Sequence, residues 1–325
     1  ELAVIKALIL GQRKEVSKEL LEEYANASTI HILAVSGLHV GIILLILSFI
    51  LKPLEQYKNG KIIKTILVVL LLWLFAIIAG LSASAVRAVT MFTAVAIGMT
   101  FKRKTFVQHT LITSMFVLLL CKPMFLFDVG FQLSYLAVFS IVTIQPKLYK
   151  LWSPNWFLTN KLWQLFTVSI AAQLGVLPLS LFYFHQFPGL FMLSNLVIIP
   201  FIGIILMLGI LVILLSLFHL LPVFLADTYM FVISLMNQFV SWISIQESFL
   251  IKEISFSFSL LLISYACLFF GILSFKRKTF QSILAFLILL IVFQSTILFE
   301  KQQVQTTSEF IIFNRNRQTI IGENN

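Results

Sequence analysis

Four stretches of this 325-residue chain place side chains capable of chemistry inside long apolar runs. In "HILAVSGLHVG", residues 31–41, Ser36 and His39 stand three apart, and Gly37 and Gly41 flank the imidazole. In "AGLSASAVRAVTM", residues 79–91, small residues lead up to Arg87. "KPMFLFDVGFQLSYLA", residues 122–137, holds Asp128 and, four positions on, Gln132. "AAQLGVLPLSLFYFHQFPGLFMLSNLVIIP", residues 171–200, holds Gln173, Pro178, Asn195 and Pro200. An imidazole, a guanidinium, a carboxylate and carboxamides in such a setting could pair with one another, relay protons or line a wetted path.

Each also has a plainer role. His39 could bridge two helices with one hydrogen bond, its flanking glycines letting a neighbour approach closely. Asp128 suits a helix N-cap by type and place. It is also the better-placed partner for Arg87, which is expected at similar depth and must snorkel, pair or meet water. Pro178 and Pro200 each remove an i→i−4 hydrogen bond, giving a simple kink or an interrupted helix along a path. His31, about 12 Å above His39 at the helical rise, is expected near the membrane surface. Asp227 in "LADTYM" fits a relay or a buried pair equally.

The elements that must position these residues are set by composition. Hydrophobic residues make up 60% of the chain, charged residues 11%, and the mean hydropathy is +1.02. A soluble domain would need far more polar surface, so most of the chain is expected to face lipid. Apolar stretches recur at 31–51, 62–81, 84–100, 106–121, 128–146, 163–184, 190–218, 222–245, 256–275 and 279–299. The runs are continuous rather than alternating, which selects helices over a barrel. The expected fold is an all-α polytopic bundle of about ten transmembrane helices, with 84–100 and 106–121 short enough to be re-entrant.

Basic residues cluster in alternate loops: Lys52, Lys58, Lys61 and Lys64; Lys102, Arg103 and Lys104; Lys147, Lys150 and Lys161; Lys276, Arg277 and Lys278. The intervening loops contain only Lys122 and Lys252. That bias predicts a cytoplasmic basic side and both termini outside the cytoplasm. It also accounts for most of the +10 net charge without invoking nucleic acid. Residues 1–30 read as an amphipathic segment at the outer interface, capped by Ser17, or as a helix of a neighbouring soluble domain. Residues 31–299 form the transmembrane region. At 300–325, "EFIIF" and "QTIIG" read as short strands joined by Asn314–Arg317, a short extracytoplasmic β segment or the start of a soluble domain. The chain begins with Glu rather than Met, and the expectation is a piece of a longer protein.

Cys121 and Cys267 suggest neither a disulfide framework nor a metal site. The histidines lack metal-ligand spacing, and no G-x-x-x-x-G-K-[ST] loop occurs. No cofactor, no ATPase and no nuclease is therefore expected of this chain.

Taken in order, "HILAVSGLHVG", "GLSASAVRAVTM", "PMFLFDVGFQLSYLA" and "QLGVLPLSLFYFHQF" with Asn195 and Pro200 resemble the competence domain of the ComEC family, the inner-membrane DNA-uptake channel of bacteria. The resemblance implies passage of one DNA strand into the cytoplasm, with Ser36, Gly37, His39, Gly41, Arg87, Asp128, Gln132, Gln173, Pro178, Asn195 and Pro200 at motif positions. It implies as partners single-stranded DNA, the lipid bilayer, an extracytoplasmic DNA receptor, and a cytosolic DNA-translocating ATPase or strand-binding proteins. Family members carry an OB-like domain and often a metallo-β-lactamase-like domain, neither recognisable in these residues. The rival reading is an ion-coupled small-solute transporter using Asp227, Asp128 and His39; it predicts an internal repeat that the sequence does not display. A membrane-embedded transferase would need clustered acid and base groups.

Overall fold

The computed structural model describes residues 2–11, 15–27, 29, 32–33, 35–100, 107–152, 154–306, 309–315 and 318–324. Its helices are α1 (Leu2–Leu10), α2 (Lys18–Asn26), α3 (Gly37–Ile50), α4 (Gly60–Ile78), α5 (Ala83–Thr100), α6 (Val107–Cys121) and α7 (Val129–Tyr149). They continue with α8 (Phe157–Phe184), α9 (Phe191–Leu217), α10 (Val223–Ser244), α11 (Phe258–Arg277) and α12 (Phe280–Thr306). Strands are few and short: β1 (Phe187–Pro188) pairs with β2 (Leu250–Ile251), and β3 (Glu309–Arg315) with β4 (Gln318–Asn324). The chain is a helical, multi-pass membrane protein.

Each of the ten expected apolar stretches contains a helix. Among the described residues, 7 helices are long and apolar enough to cross a bilayer: α4 and α7 to α12. The other three, α3, α5 and α6, have 14, 18 and 15 residues. The count of ten crossings rests on these three. The first differs most from expectation, because the run 31–51 is apolar enough to span whereas the helix opens only at Gly37. Ser36 is extended (φ −102°, ψ 170°) and heads the helix as its N-cap. The resulting helix is about 21 Å long, against roughly 30 Å of hydrocarbon. His31 lies outside the described residues, as do Lys102, Arg103 and Lys104.

Residues fall into two compact units, one of 1–177 with 186–252 and one of 178–185 with 253–325. The first unit has two buried clusters. In one, α1 and α2 press Val4, Leu8 and Tyr24 against Ile198 and Ile202 of α9 and Ile233 of α10. Ser17 caps α2, accepting from the Leu20 N–H at 3.3 Å. Tyr24 is fully buried, and its hydroxyl donates to Asn237 Oδ1 at 2.6 Å. Burial, reinforced by neighbouring Glu23, pushes its pKa up, so it stays a donor. In the other cluster, Val40 of α3, Val68 and Leu72 of α4, and Ala85 and Val89 of α5 are buried together.

The turn from α4 to α5 explains the small-residue run. Gly80 takes φ +72°, and its N–H bonds Ile77 O at 3.0 Å while the Leu81 N–H bonds Ala76 O at 2.8 Å. These nested bonds stop α4, and the left-handed conformation at Gly80, continued at Leu81 (φ 48°), is one that glycine adopts most readily. Ser82 then opens α5: its hydroxyl accepts from the Ala85 N–H at 3.4 Å and its carbonyl from the Val86 N–H at 2.9 Å. Lys64, in the first turns of α4, pairs with Glu55 of the preceding connection at 2.6 Å, and that hydrogen bond holds Glu55 below its ordinary pKa.

In the second unit α11 and α12 form a hairpin. Ser257 caps α11, accepting from the Leu260 N–H at 3.2 Å, and with Ser259 it donates to Glu300 of α12 at 2.5 and 3.0 Å. α12 buries almost none of its apolar surface within the chain, as suits a lipid-facing helix. Both strands expected in the tail are present, paired antiparallel with Arg315 opposite Gln318; residues 316–317 between them lie outside the described set.

Candidate functional site

Arg87 and Asp128 come together where α5 and α7 begin. Arg87 Nη1 lies 3.0 Å from Asp128 Oδ1. The same oxygen accepts the Phe131 N–H at 2.6 Å, so Asp128 is at once ion-pair partner and N-cap of α7. The pair is asymmetric, with the arginine side chain 8% exposed and the aspartate 43% exposed. Arg87 Nε is buried without a hydrogen-bond partner among the described residues. Among the described residues the charge is thus held by its contact with a half-exposed carboxylate, in a place where an isolated guanidinium is costly.

Glycine makes room for this contact. A Cβ on Gly130 would stand 3.2 Å from Asp128 Oδ1 and 3.3 Å from Arg87 Nη2. A glycine in the first turn of a helix runs against propensity, a signal of close approach that could have singled it out. Gln132, one turn past Asp128, donates from Nε2 to Leu126 O at 2.8 Å and ties the 3-10 turn Pro123–Phe127 onto α7. Below, the Tyr135 hydroxyl lies 3.2 Å from Ser114 Oγ on α6. Neither residue is charged, and neither stands out in the sequence.

Ser36 and His39 form a second group. His39 is fully buried. Its Nδ1 accepts from the Ser36 N–H at 3.2 Å and lies 2.8 Å from Ser36 Oγ, giving a capping box with histidine in the place usual for Glu or Gln. An accepting Nδ1 puts the proton of the neutral ring on Nε2. The flanking glycines have different surroundings. At Gly41 a Cβ would meet Phe92 Cζ of α5 at 3.1 Å, whereas at Gly37 nothing lies within 4 Å. The close neighbour expected from both glycines is therefore a phenyl ring at one of them.

Among the described residues no hydrogen bond joins Gln173 or Asn195 to Arg87 or Asp128. Asn195, in α9, buries an Oδ1 that has no partner among the described residues. Pro200 is exposed on α9; Pro178, in the second unit's part of α8, is buried, and both helices run on through their prolines. Near Gln173, Gly175 lets α7 approach α8, since a Cβ there would run into Ser140 and the Leu136 carbonyl. Asp227 is exposed. Among the described residues, no three His, Cys, Asp or Glu side chains gather as a metal site.

Comparison with known proteins bears on what these groups serve. ComE operon protein 3 of Bacillus subtilis (strain 168) is 34% identical over 198 residues, which cover 61% of this chain and 24% of that protein. The chain thus aligns with about a quarter of the relative's length. No solved structure matches. The model of the competence protein family matches residues 8–278, a span that contains the ion pair, the capping box and all the other candidate residues. The chain belongs to the competence protein family, as its resemblance to ComEC implied.

Proposed function

We propose that this chain forms the route by which single-stranded DNA crosses the bacterial cytoplasmic membrane during natural transformation. The observation that carries the reading is the family match across 8–278, which takes in nearly all of the helical bundle. The Arg87–Asp128 pair supports it chemically. A strand carries one negative charge per nucleotide and needs a wetted path with donors or cations. Passage also requires weak, multi-site binding, so that the strand can leave. One arginine tempered by a half-exposed carboxylate meets both demands better than a lysine-lined bore. The basic loops support a cytoplasmic location for that side, ten crossings, and termini outside the cytoplasm.

On this reading the chain is a passive conduit. A polyanion moving inward gains nothing from an inside-negative potential, at about 2.3 kcal/mol per charge per 100 mV. The drive falls to partners: a cytosolic translocating ATPase or strand-binding proteins on the emerging end, with an external receptor delivering DNA. The test is the purified chain in liposomes that enclose a single-strand-binding protein. An end-labelled single strand added outside should become resistant to external nuclease, a duplex of equal length should not, and no ATP should be hydrolysed. Correctly inserted chain that protects no more strand than empty liposomes overturns the proposal.

A further inference from the structure

The connector between α7 and α8 differs from a solvated loop. No Asp or Glu occurs between Asp128 and Asp227, yet Lys147, Lys150 and Lys161 fall in or beside this corner. Among the described residues none of these lysines forms an ion pair. Around them large apolar side chains face outward: Trp152 is 54% exposed, Trp156 66% and Phe157 74%. The helix ends on either side of the corner are tied to each other. Trp163 Nε1 donates to Tyr149 O at 3.1 Å, and the Tyr149 hydroxyl donates to Asn160 Oδ1 at 2.5 Å. Trp152 packs edge-on against Trp163 with ring centroids 5.3 Å apart.

A corner displaying two indoles and ammonium groups that meet no carboxylate among the described residues suits one medium well. It joins two helices long enough to cross a bilayer, α7 and α8, so it lies at the membrane surface. Indole rings favour the headgroup level, where their apolar body and polar N–H both find partners. Lysines there attract headgroups of net negative charge, and no local carboxylate competes for them. We propose that the α7–α8 corner is a binding site for an anionic phospholipid, with Lys147, Lys150 and Lys161 around its phosphate and Trp152 and Trp156 beside its glycerol region. The assignment is independent of DNA passage.

The test uses the full chain in neutral detergent, titrated with phosphatidylglycerol or phosphatidylcholine and read by native mass spectrometry and by unfolding temperature. Wild type should retain phosphatidylglycerol preferentially and unfold at a higher temperature with it. Lys150→Gln and Lys161→Gln, both surface changes, should each weaken that retention about fivefold. The triple Lys→Gln variant should lose the preference, and the triple Lys→Arg variant should keep it. Equal retention of the two lipids by wild type overturns the proposal, as does undiminished phosphatidylglycerol binding in both single variants. A parallel titration with oligothymidylate covers the nucleic-acid alternative: lysine-dependent oligonucleotide binding without lipid preference also overturns it.

Discussion

Neutralising Asp128 should damage this protein more than neutralising Arg87, although the two form one ion pair. Asp128→Asn keeps the shape and still offers an N-cap acceptor to the Phe131 N–H. What it removes is the charge facing a guanidinium whose side chain is only 8% exposed. Stranding one member of a fully buried pair costs about 3–5 kcal/mol. Here the lost partner is half exposed and water can take part of its place, so about 1–3 kcal/mol is expected. Arg87→Met, by contrast, keeps an unbranched side chain in the packing and leaves a carboxylate that is still capped and hydrated, at about 0–1 kcal/mol. The double variant should then recover much of the Asp128→Asn loss, with a coupling of about 1–2 kcal/mol. The measurement is a four-member cycle of unfolding free energies for the purified chain in mixed micelles of rising denaturing-detergent fraction. Effects that add to within about 0.5 kcal/mol, or Arg87→Met proving the worse single change, would refute the reasoning.

Other substitutions probe the rest of the bundle. Tyr24→Phe removes the donor to half-buried Asn237 and should cost about 1–2 kcal/mol in the same unfolding assay, with no change in span orientation. Gly41→Val should destabilise by about 1–3 kcal/mol because its side chain meets the Phe92 ring, whereas Gly37→Ala should be close to neutral. His39→Gln retains a side chain able to complete the capping box, so stability should stay within about 1 kcal/mol of wild type while strand protection in liposomes falls sharply; protection at wild-type level would confine the imidazole to capping. Cysteines replacing Lys58, Arg103, Lys150 and Arg277 should all react with an impermeant reagent from one side only, and labelling of any one from the opposite side would rule out ten crossings.

What could be read from the sequence, and what could not, divides along the cost of leaving a group unsatisfied. Lipid gives the backbone few alternatives to helix, so long apolar runs reveal α4 and α7 to α12 directly. An arginine inside such a run must find a carboxylate or water, and Asp128 is the carboxylate at matching depth; that necessity made the pair foreseeable. The start of α3 depends on a weaker preference. Ser36 and His39 have the spacing of a capping box, but with histidine at its fourth position the pattern read as two polar residues on one face, and the helix was expected some six residues too early. Glycine is harder still, since its role lies in whatever neighbour fills the missing side chain. Gly41 meets a phenyl ring, Gly37 meets nothing, Gly130 borders the guanidinium and Gly175 admits a serine, yet the four residues are identical in the sequence. Tyr24 shows the same limit from the other side: nothing in "LLEEYANAS" names Asn237, 213 positions away, as its acceptor. Groups whose isolation is expensive therefore declare their partners, while groups that serve by shape acquire a meaning only from the packing around them.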